Sequence, residues 1–234
     1  MRRPAPLDTP HEENHRVTLR ALGVAFLEPV SGAGARGPYI PAMRKVVLWI
    51  GMSLDGFTSD AEEKLEWLVP HATGPEGQEI YAALRRASDT VLVGRVNYEG
   101  FFQYWPRVID DPLRSKSDRE IARWIDEVPK VVFSRTLREL KWKNSRRATG
   151  SPEEELASLR RAPGKDILIQ NSTRLAQSLL ARGLVDELQL VVAPVAVGSG
   201  RPLFAGVGKK VGLRLLDARR FGGGGMGLRY EVKH

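Results

Sequence analysis

Four short segments decide most of what this chain can fold into: Lys45–Gly51 (KVVLWIG), Thr90–Gly94 (TVLVG), Lys130–Ser134 (KVVFS) and Asp166–Gln170 (DILIQ). Each is a continuous apolar, largely β-branched run. A strand with one wet face alternates apolar and polar residues, and a strand covered on both faces does not. Helix signals separate the four runs. Thr73-Gly-Pro-Glu76 opens a helix with Ile80, Leu84 and Ala87 on one face, and Val96–Gln103 reads as a short helix. Ser117-Asp-Arg-Glu120 reads as a capping box before the stripe Ile121, Trp124, Ile125 and Val128, and Pro129 stops that helix. Ser151-Pro-Glu-Glu154 is a second capping box. Ser172–Arg182 carries Leu175, Leu179 and Leu180 and ends at Gly183. The alternation predicts an α/β fold of three layers, α/β/α, with a mostly parallel sheet covered on both faces. Leu188–Val192 and Ala193–Val197 are strand-like, with Pro194 marking an edge or bulge. Leu213–Arg219 and Leu228–Lys233 flank Gly222–Gly225 and predict a C-terminal antiparallel hairpin.

Residues 1–42 differ from the rest. They hold 6 of the 15 prolines, and Ser31–Ala42 is small, Gly/Pro-rich and aperiodic. Such a segment buries too little surface to offset its ordering entropy, so a disordered extension is expected. Pro4, Pro6, Asp8 and Pro10 occupy the place of a signal peptide's apolar stretch. Val17–Val30 could form a short apolar helix. The functional domain is expected over residues 43–234, and Met43 is a candidate translation start.

With no cysteine, the chain has no disulfide scaffold, thiol nucleophile or Cys-ligated metal. The net charge of +8 admits nucleic acid, phosphorylated metabolites or a membrane surface as partners. No apolar run approaches the roughly 18 residues of a membrane span. The basic residues are spread along the chain except in Lys141–Arg147 (KWKNSRR), which reads as a solvated loop. No nucleic acid and no membrane are therefore expected as partners. His11-Glu-Glu-Asn-His15 matches the zinc motif H-E-x-x-H, but Pro-flanked and without an apolar helix. No metal site is expected. The Rossmann fingerprint and the P-loop are both absent.

In parallel sheets ligands bind at the carboxyl ends of the strands. Gly94-Arg95 follows one buried strand: Gly admits close approach to the backbone, and Arg offers a rigid fork for phosphate. Ser134-Arg135-Thr136 repeats this after another strand. Asn171-Ser172-Thr173 opens a helix, whose bare N-terminus attracts phosphate; the plainer reading is that Ser172 caps that helix, and the two are compatible. Asp55, in the turn Ser53–Gly56, is either plain turn chemistry or a carboxylate facing the pocket. Gly198-Ser-Gly200 either lines a ligand mouth or is only a bend.

In order, the chain shows MSLDGF (Met52–Phe57), VLVGRVNYE (Val91–Glu99), VVFSRTL (Val131–Leu137), ILIQNSTRLAQSLLARGLVDEL (Ile167–Leu188) and PVAVGSGRPLF (Pro194–Phe204). Together these motifs resemble the dihydrofolate-reductase-like family typified by the C-terminal reductase domain of the bifunctional riboflavin-biosynthesis deaminase–reductase (RibD). The likeness covers about residues 44–233 and is greatest to stand-alone members without the deaminase half.

The resemblance implies an NADPH-dependent reductase acting on a pterin- or pyrimidine-like small molecule. The model reactions are those of 5-amino-6-(5-phosphoribosylamino)uracil reductase and dihydrofolate reductase. By position, Gly94, Arg95 and Asn97 match the turn at the adenosine side. Ser134, Arg135 and Thr136 match the segment at the 2′-phosphate. Asn171, Ser172 and Thr173 match the Gly-rich pyrophosphate turn. Asp55 matches an acid on the substrate side, there to orient substrate or assist protonation. Val197, Gly198 and Gly200 match a loop near nicotinamide and substrate. A cytoplasmic homodimer is implied as well. Two positions depart from the pattern: Asn171 replaces a Gly of the pyrophosphate turn, and Asn97 replaces a Thr. The alternative reading is a catalytically inactive nucleotide-binding protein on the same fold.

Overall fold

A computed structural model of the chain describes residues 43–234. The H-E-x-x-H motif, the Val17–Val30 segment and the extension expected to be disordered lie outside the described residues. The four apolar runs form β1 (Val46–Ser53), β2 (Ser88–Gly94), β3 (Lys130–Phe133) and β5 (Asp166–Gln170). With β4 (Ser145–Arg147), β6 (Glu187–Ala193), β7 (Gly212–Arg220) and β8 (Met226–Lys233) they make one eight-stranded sheet, ordered β4-β3-β2-β5-β1-β6-β8-β7. The first six are parallel; β8 runs antiparallel to β6, and β7 pairs with β8 as a hairpin.

Side-chain alternation along the strands sends two cores to opposite faces. On one face, Val47, Val91, Val93 and Leu168 pack against α2 (Pro75–Ala87), α3 (Arg95–Val108) and α4 (Lys116–Glu127) through Tyr81, Leu84, Tyr98 and Ile125. The short α1 (Val69–Ala72) precedes α2. On the other face, Val46, Leu48, Leu92, Ile167 and Ile169 pack against α5 (Pro152–Arg161) and α6 (Thr173–Ala181) through Leu156, Leu175, Leu179 and Leu180. Val46, Leu48, Leu92, Ile167, Leu168 and Ile169 are wholly inaccessible. The fold is thus the dihydrofolate-reductase-like three-layer arrangement, closed by the antiparallel hairpin.

Local signals place most boundaries. The capping box at Ser151 forms as read: its hydroxyl accepts from Glu154 N–H while the Glu154 carboxylate accepts from Ser151 N–H. Gly183, at φ +68°, ends α6 in the left-handed region where glycine has no steric cost. Four expectations are corrected. Helix α4 is capped by Ser115, which accepts from Asp118 N–H, and Ser117 lies inside its first turn. Helix α3 continues past Gln103 to Val108, because Tyr98 and Val108 are both buried. The segment Ala193–Val197 is not a strand; β6 stops at Ala193, ahead of Pro194, which has no N–H to extend the ladder. The run Lys141–Arg147 is not a solvated loop. Trp142 is buried, and Ser145–Arg147 pair with Lys130–Val132 as the outer strand β4.

Charges at the amino ends of the strands are bound up. Lys130 is 1% exposed, and its ammonium donates to the carbonyls of Ile125, Asp126 and Val128 at 2.8, 3.0 and 2.8 Å. It thereby caps the last turn of α4 and sits 4.4 Å from the centre of the Trp142 ring. Burial lowers its pKa from 10.5 to about 8. Arg44 binds Asp89 and Thr90 and the carbonyls of Leu159 and Lys165. Glu187 takes both arms of Arg229 at 2.7 and 3.0 Å.

Candidate functional site at the carboxyl ends of the strands

The sheet topology opens a crevice at β5. Strand β2 leads into α3 on one face of the sheet, whereas β5 leads into α6 on the other. Neighbouring strands that exit to opposite faces part above the sheet, and such switch points are where ligands settle in parallel sheets. Gly94-Arg95 and Asn171-Ser172-Thr173 line this gap. Gly94 is also in register with Phe133 of β3, so Ser134-Arg135-Thr136 follows one strand over.

Side chains stitch the crevice together. Ser172 Oγ accepts from Gly94 N–H at 3.1 Å, and Asn97 Nδ2 donates to the Asn171 carbonyl at 2.8 Å. Ser172 therefore does not cap its own helix. The first α6 bond is Ala176 N–H to Ser172 C=O, and the earlier amides of that turn have no protein acceptor among the described residues. Arg174 stands exposed in the same turn without an ion pair among the described residues. A cation at a helix N-terminus opposes the helix dipole, by about 0.3–1 kcal/mol at the surface. A bound anion would reverse that balance.

The Ser134 turn is built by β4. Ser134 Oγ accepts from Thr136 and Leu137 N–H at 3.2 and 2.9 Å. From β4, the Arg147 guanidinium donates to the carbonyls of Ser134, Leu137 and Arg138. Arg135 projects from this braced turn, exposed and without an ion pair among the described residues. Arg95 differs: it pairs with Glu99 one helical turn on, at 2.8 Å. Such surface pairs are weak, so Arg95 is partly spent but not locked.

The substrate-side residues form a second group. Residues 53–59 and 195–203 run side by side: Leu54 N–H donates to Val195 C=O, Thr58 N–H to Arg201 C=O and Leu203 N–H to Gly56 C=O. Gly200 fits because its φ of +135° and its approach to the Ser59 and Asp60 backbone leave no room for a Cβ. Asp55 accepts from Ser53 Oγ at 2.6 Å, Gly198 N–H at 2.8 Å and Val197 N–H at 3.1 Å. The Ser53 hydroxyl, then the Gly198 and Val197 amides, hold its pKa below the ordinary aspartate value. Thr58 Oγ1 meets Thr173 Oγ1 at 2.9 Å and joins this group to the start of α6.

Arg147, Thr58 and Arg174 were missed from the sequence. Arg174 left a signal, a cation directly after a helix start with no acid in that turn. Arg147 and Thr58 left none, since each acts on residues beyond its own local segment of the sequence. A cleft of about 260 Å³ lies elsewhere, lined by Trp49, Ile80, Leu84 and Leu228 where α2 meets the sheet. It contains none of the candidate residues at the carboxyl ends of the strands, and two ion pairs lie in its wall, Glu187 with Arg229 and Glu79 with Arg219.

The sequence signature of the RibD C-terminal domain matches residues 44–226. The chain belongs to the RibD C-terminal domain family. The uncharacterized protein YyaP of Bacillus subtilis is 28% identical over 188 residues, covering 80% of this chain and 95% of YyaP. The riboflavin biosynthesis protein RibD of Corynebacterium ammoniagenes is 23% identical, over 78% of this chain and 55% of that protein. A crystal structure from Shewanella sp. PV-4, of a protein ascribed to riboflavin biosynthesis, superposes with a TM-score of 0.64 at 22% identity, covering 82% of this chain and all of that one. The fold is that of a riboflavin-pathway reductase domain. No described helix is long and apolar enough to cross a membrane.

Proposed function

We propose that this chain is an NADPH-dependent reductase that transfers hydride to a pterin- or pyrimidine-like small molecule, akin to 5-amino-6-(5-phosphoribosylamino)uracil reductase. One observation carries the reading: a switch-point crevice flanked by cations and a helix turn of amides that have no partner among the described residues. The residues present fit a dinucleotide phosphate. Gly94 has open space where a Cβ would stand, the α6 amides and Arg174 suit a pyrophosphate, and Arg135 suits a 2′-phosphate. NADPH would supply the hydride, and the chain's task is to orient ring against ring and to exclude water.

Asp55 serves in this reading as an orienting carboxylate. Its hydrogen bonds favour the ionised form, so at neutral pH it has no proton to give. The proton of the reduction then comes through water. Asp55→Asn would lose an acceptor for the Val197–Gly198 amides and would lower turnover about tenfold with NADPH binding retained. Unchanged turnover with bound cofactor would remove Asp55 from the mechanism. Pairing into homodimers belongs to the same reading: β7 is an outer strand and leaves Leu215 and Leu216 exposed. Light scattering on the purified protein tests it.

The deciding experiment is a titration with NADPH and with NADH, followed by quenching of the five tryptophans. Micromolar NADPH binding with much weaker NADH binding is expected. Hydride transfer to pterins or phosphoribosylamino-pyrimidines then separates an active reductase from an inactive nucleotide-binding protein. Failure to bind either nucleotide would sink both.

A further inference from the structure

Asn97 and Asn171, the two positions that the resemblance marked as departures, touch each other. Asn97, in the first turn of α3, donates from Nδ2 to the main-chain carbonyl of Asn171 at 2.8 Å. Asn171 has a φ of +50°, in the left-handed region that glycine enters freely and other residues enter at a cost. Its N–H is fixed as well, by donation to Trp49 C=O at 3.0 Å. Both backbone groups of this residue are therefore held, one by the adjacent strand and the other by a side chain from across the crevice.

Asn97 does nothing for its own helix. Helix α3 has Gly94 at its N-cap and no side-chain cap, and Asn is a poor helix former within a turn. The amide is spent on the neighbouring turn instead. One such bond shifts an equilibrium by roughly two- to twelvefold, the same order as the strain of a non-glycine residue at positive φ. The bond also occupies the Asn171 carbonyl oxygen, whose negative end would otherwise be free to face an incoming anion.

We propose that Asn97 is a positioning residue for the phosphate-facing turn: it tethers the Asn171 carbonyl, so that the left-handed turn persists without glycine and stands ready for the cofactor. The tether replaces what a glycine would supply by conformational freedom alone. As a statement about cofactor binding, this rests on the reductase reading above.

Three variants test it on the full chain: Asn97→Ala, Asn171→Gly and the two combined. Asn97→Ala is expected to weaken NADPH binding roughly five- to tenfold, with the thermal midpoint unchanged because the bond lies at the surface. Adding Asn171→Gly is expected to restore affinity to within about twofold of wild type, since glycine holds the turn untethered. Binding of Asn97→Ala within twofold of wild type would overturn the proposal, and so would a double variant no tighter than Asn97→Ala. A second readout needs no nucleotide. In the free protein, amide exchange at Asn171, whose N–H is bonded to Trp49 C=O, should quicken about tenfold in Asn97→Ala and slow again in the double variant. If wild type binds neither NADPH nor NADH, the reductase reading falls, and the exchange rates alone decide the tether. Unchanged exchange overturns it.

Discussion

The two ends of the strands handle charge in opposite ways. At the amino ends, Arg44, Lys130 and Glu187 are buried, and each is matched by carbonyls or an opposite charge. At the carboxyl ends, Arg135 and Arg174 are exposed and unpaired among the described residues, beside a helix turn of unbonded amides. Charge satisfied inside the protein contributes to holding the fold together. Charge left over is available to something else. In the proposed function the same sheet buries its charges at one end and offers the exposed ones at the other to a ligand.

The sharpest break of this contrast is Lys130→Met. Three carbonyls at the end of α4 would lose their donor, costing about 3 kcal/mol in urea unfolding, while the NADPH dissociation constant stays within about twofold. The pH dependence has a definite sign. Because burial lowers the folded pKa of Lys130 to about 8 from 10.5, the unfolded chain holds the proton more tightly. This group's contribution to stability should therefore rise with pH between about 8 and 10.5 and be flat below 8. The Met variant should lack that rise.

At the other end the effects should fall on binding and leave stability alone. Arg135→Gln is expected to weaken NADPH by about tenfold or more and leave NADH unchanged, with no shift in thermal midpoint. Arg174→Gln should weaken both nucleotides about fivefold, since both carry the pyrophosphate, and yet stabilise the free protein by a few tenths of a kcal/mol. Calorimetry and fluorescence titration on the same variant would read the two opposite signs. The smallest effect belongs to Arg95→Gln, under about twofold, because Arg95 already pairs with Glu99. A loss equal to that of Arg135→Gln would move the 2′-phosphate to the β2 turn.

What was legible in the sequence follows the same divide. Buried parallel strands write themselves as uninterrupted apolar runs, so β1, β2, β3 and β5 could be read within two residues of their ends. The turns after them were singled out only by the general rule that such sheets place their ligands at strand ends. Strand β4 could not. Its residues are Ser145, Arg146 and Arg147, and its pairing comes from the adjacent β3 backbone and from the burial of Trp142 and Glu155. Nor could the bracing of the Arg135 turn by Arg147, or the grip of Asp55 on a loop 142 residues away. Hydrogen bonds between distant segments have no period. The cap of α4 shows a smaller failure: Ser115 and Ser117 are both acceptable caps, and only the helix axis decides between them.

One feature of the sheet also bears on how the chain comes into being. Strand β1 is the first of the eight to be made, yet it lies between β5 and β6, and Val46 pairs with Ile167. On a ribosome adding about 5–20 residues per second, that partner appears roughly 6–24 s after Val46 does. Throughout that interval this apolar segment has neither neighbour. The nascent chain must be shielded by chaperones or by its own transient collapse, and the central strand docks onto β5 only when about seven-tenths of the chain already exists.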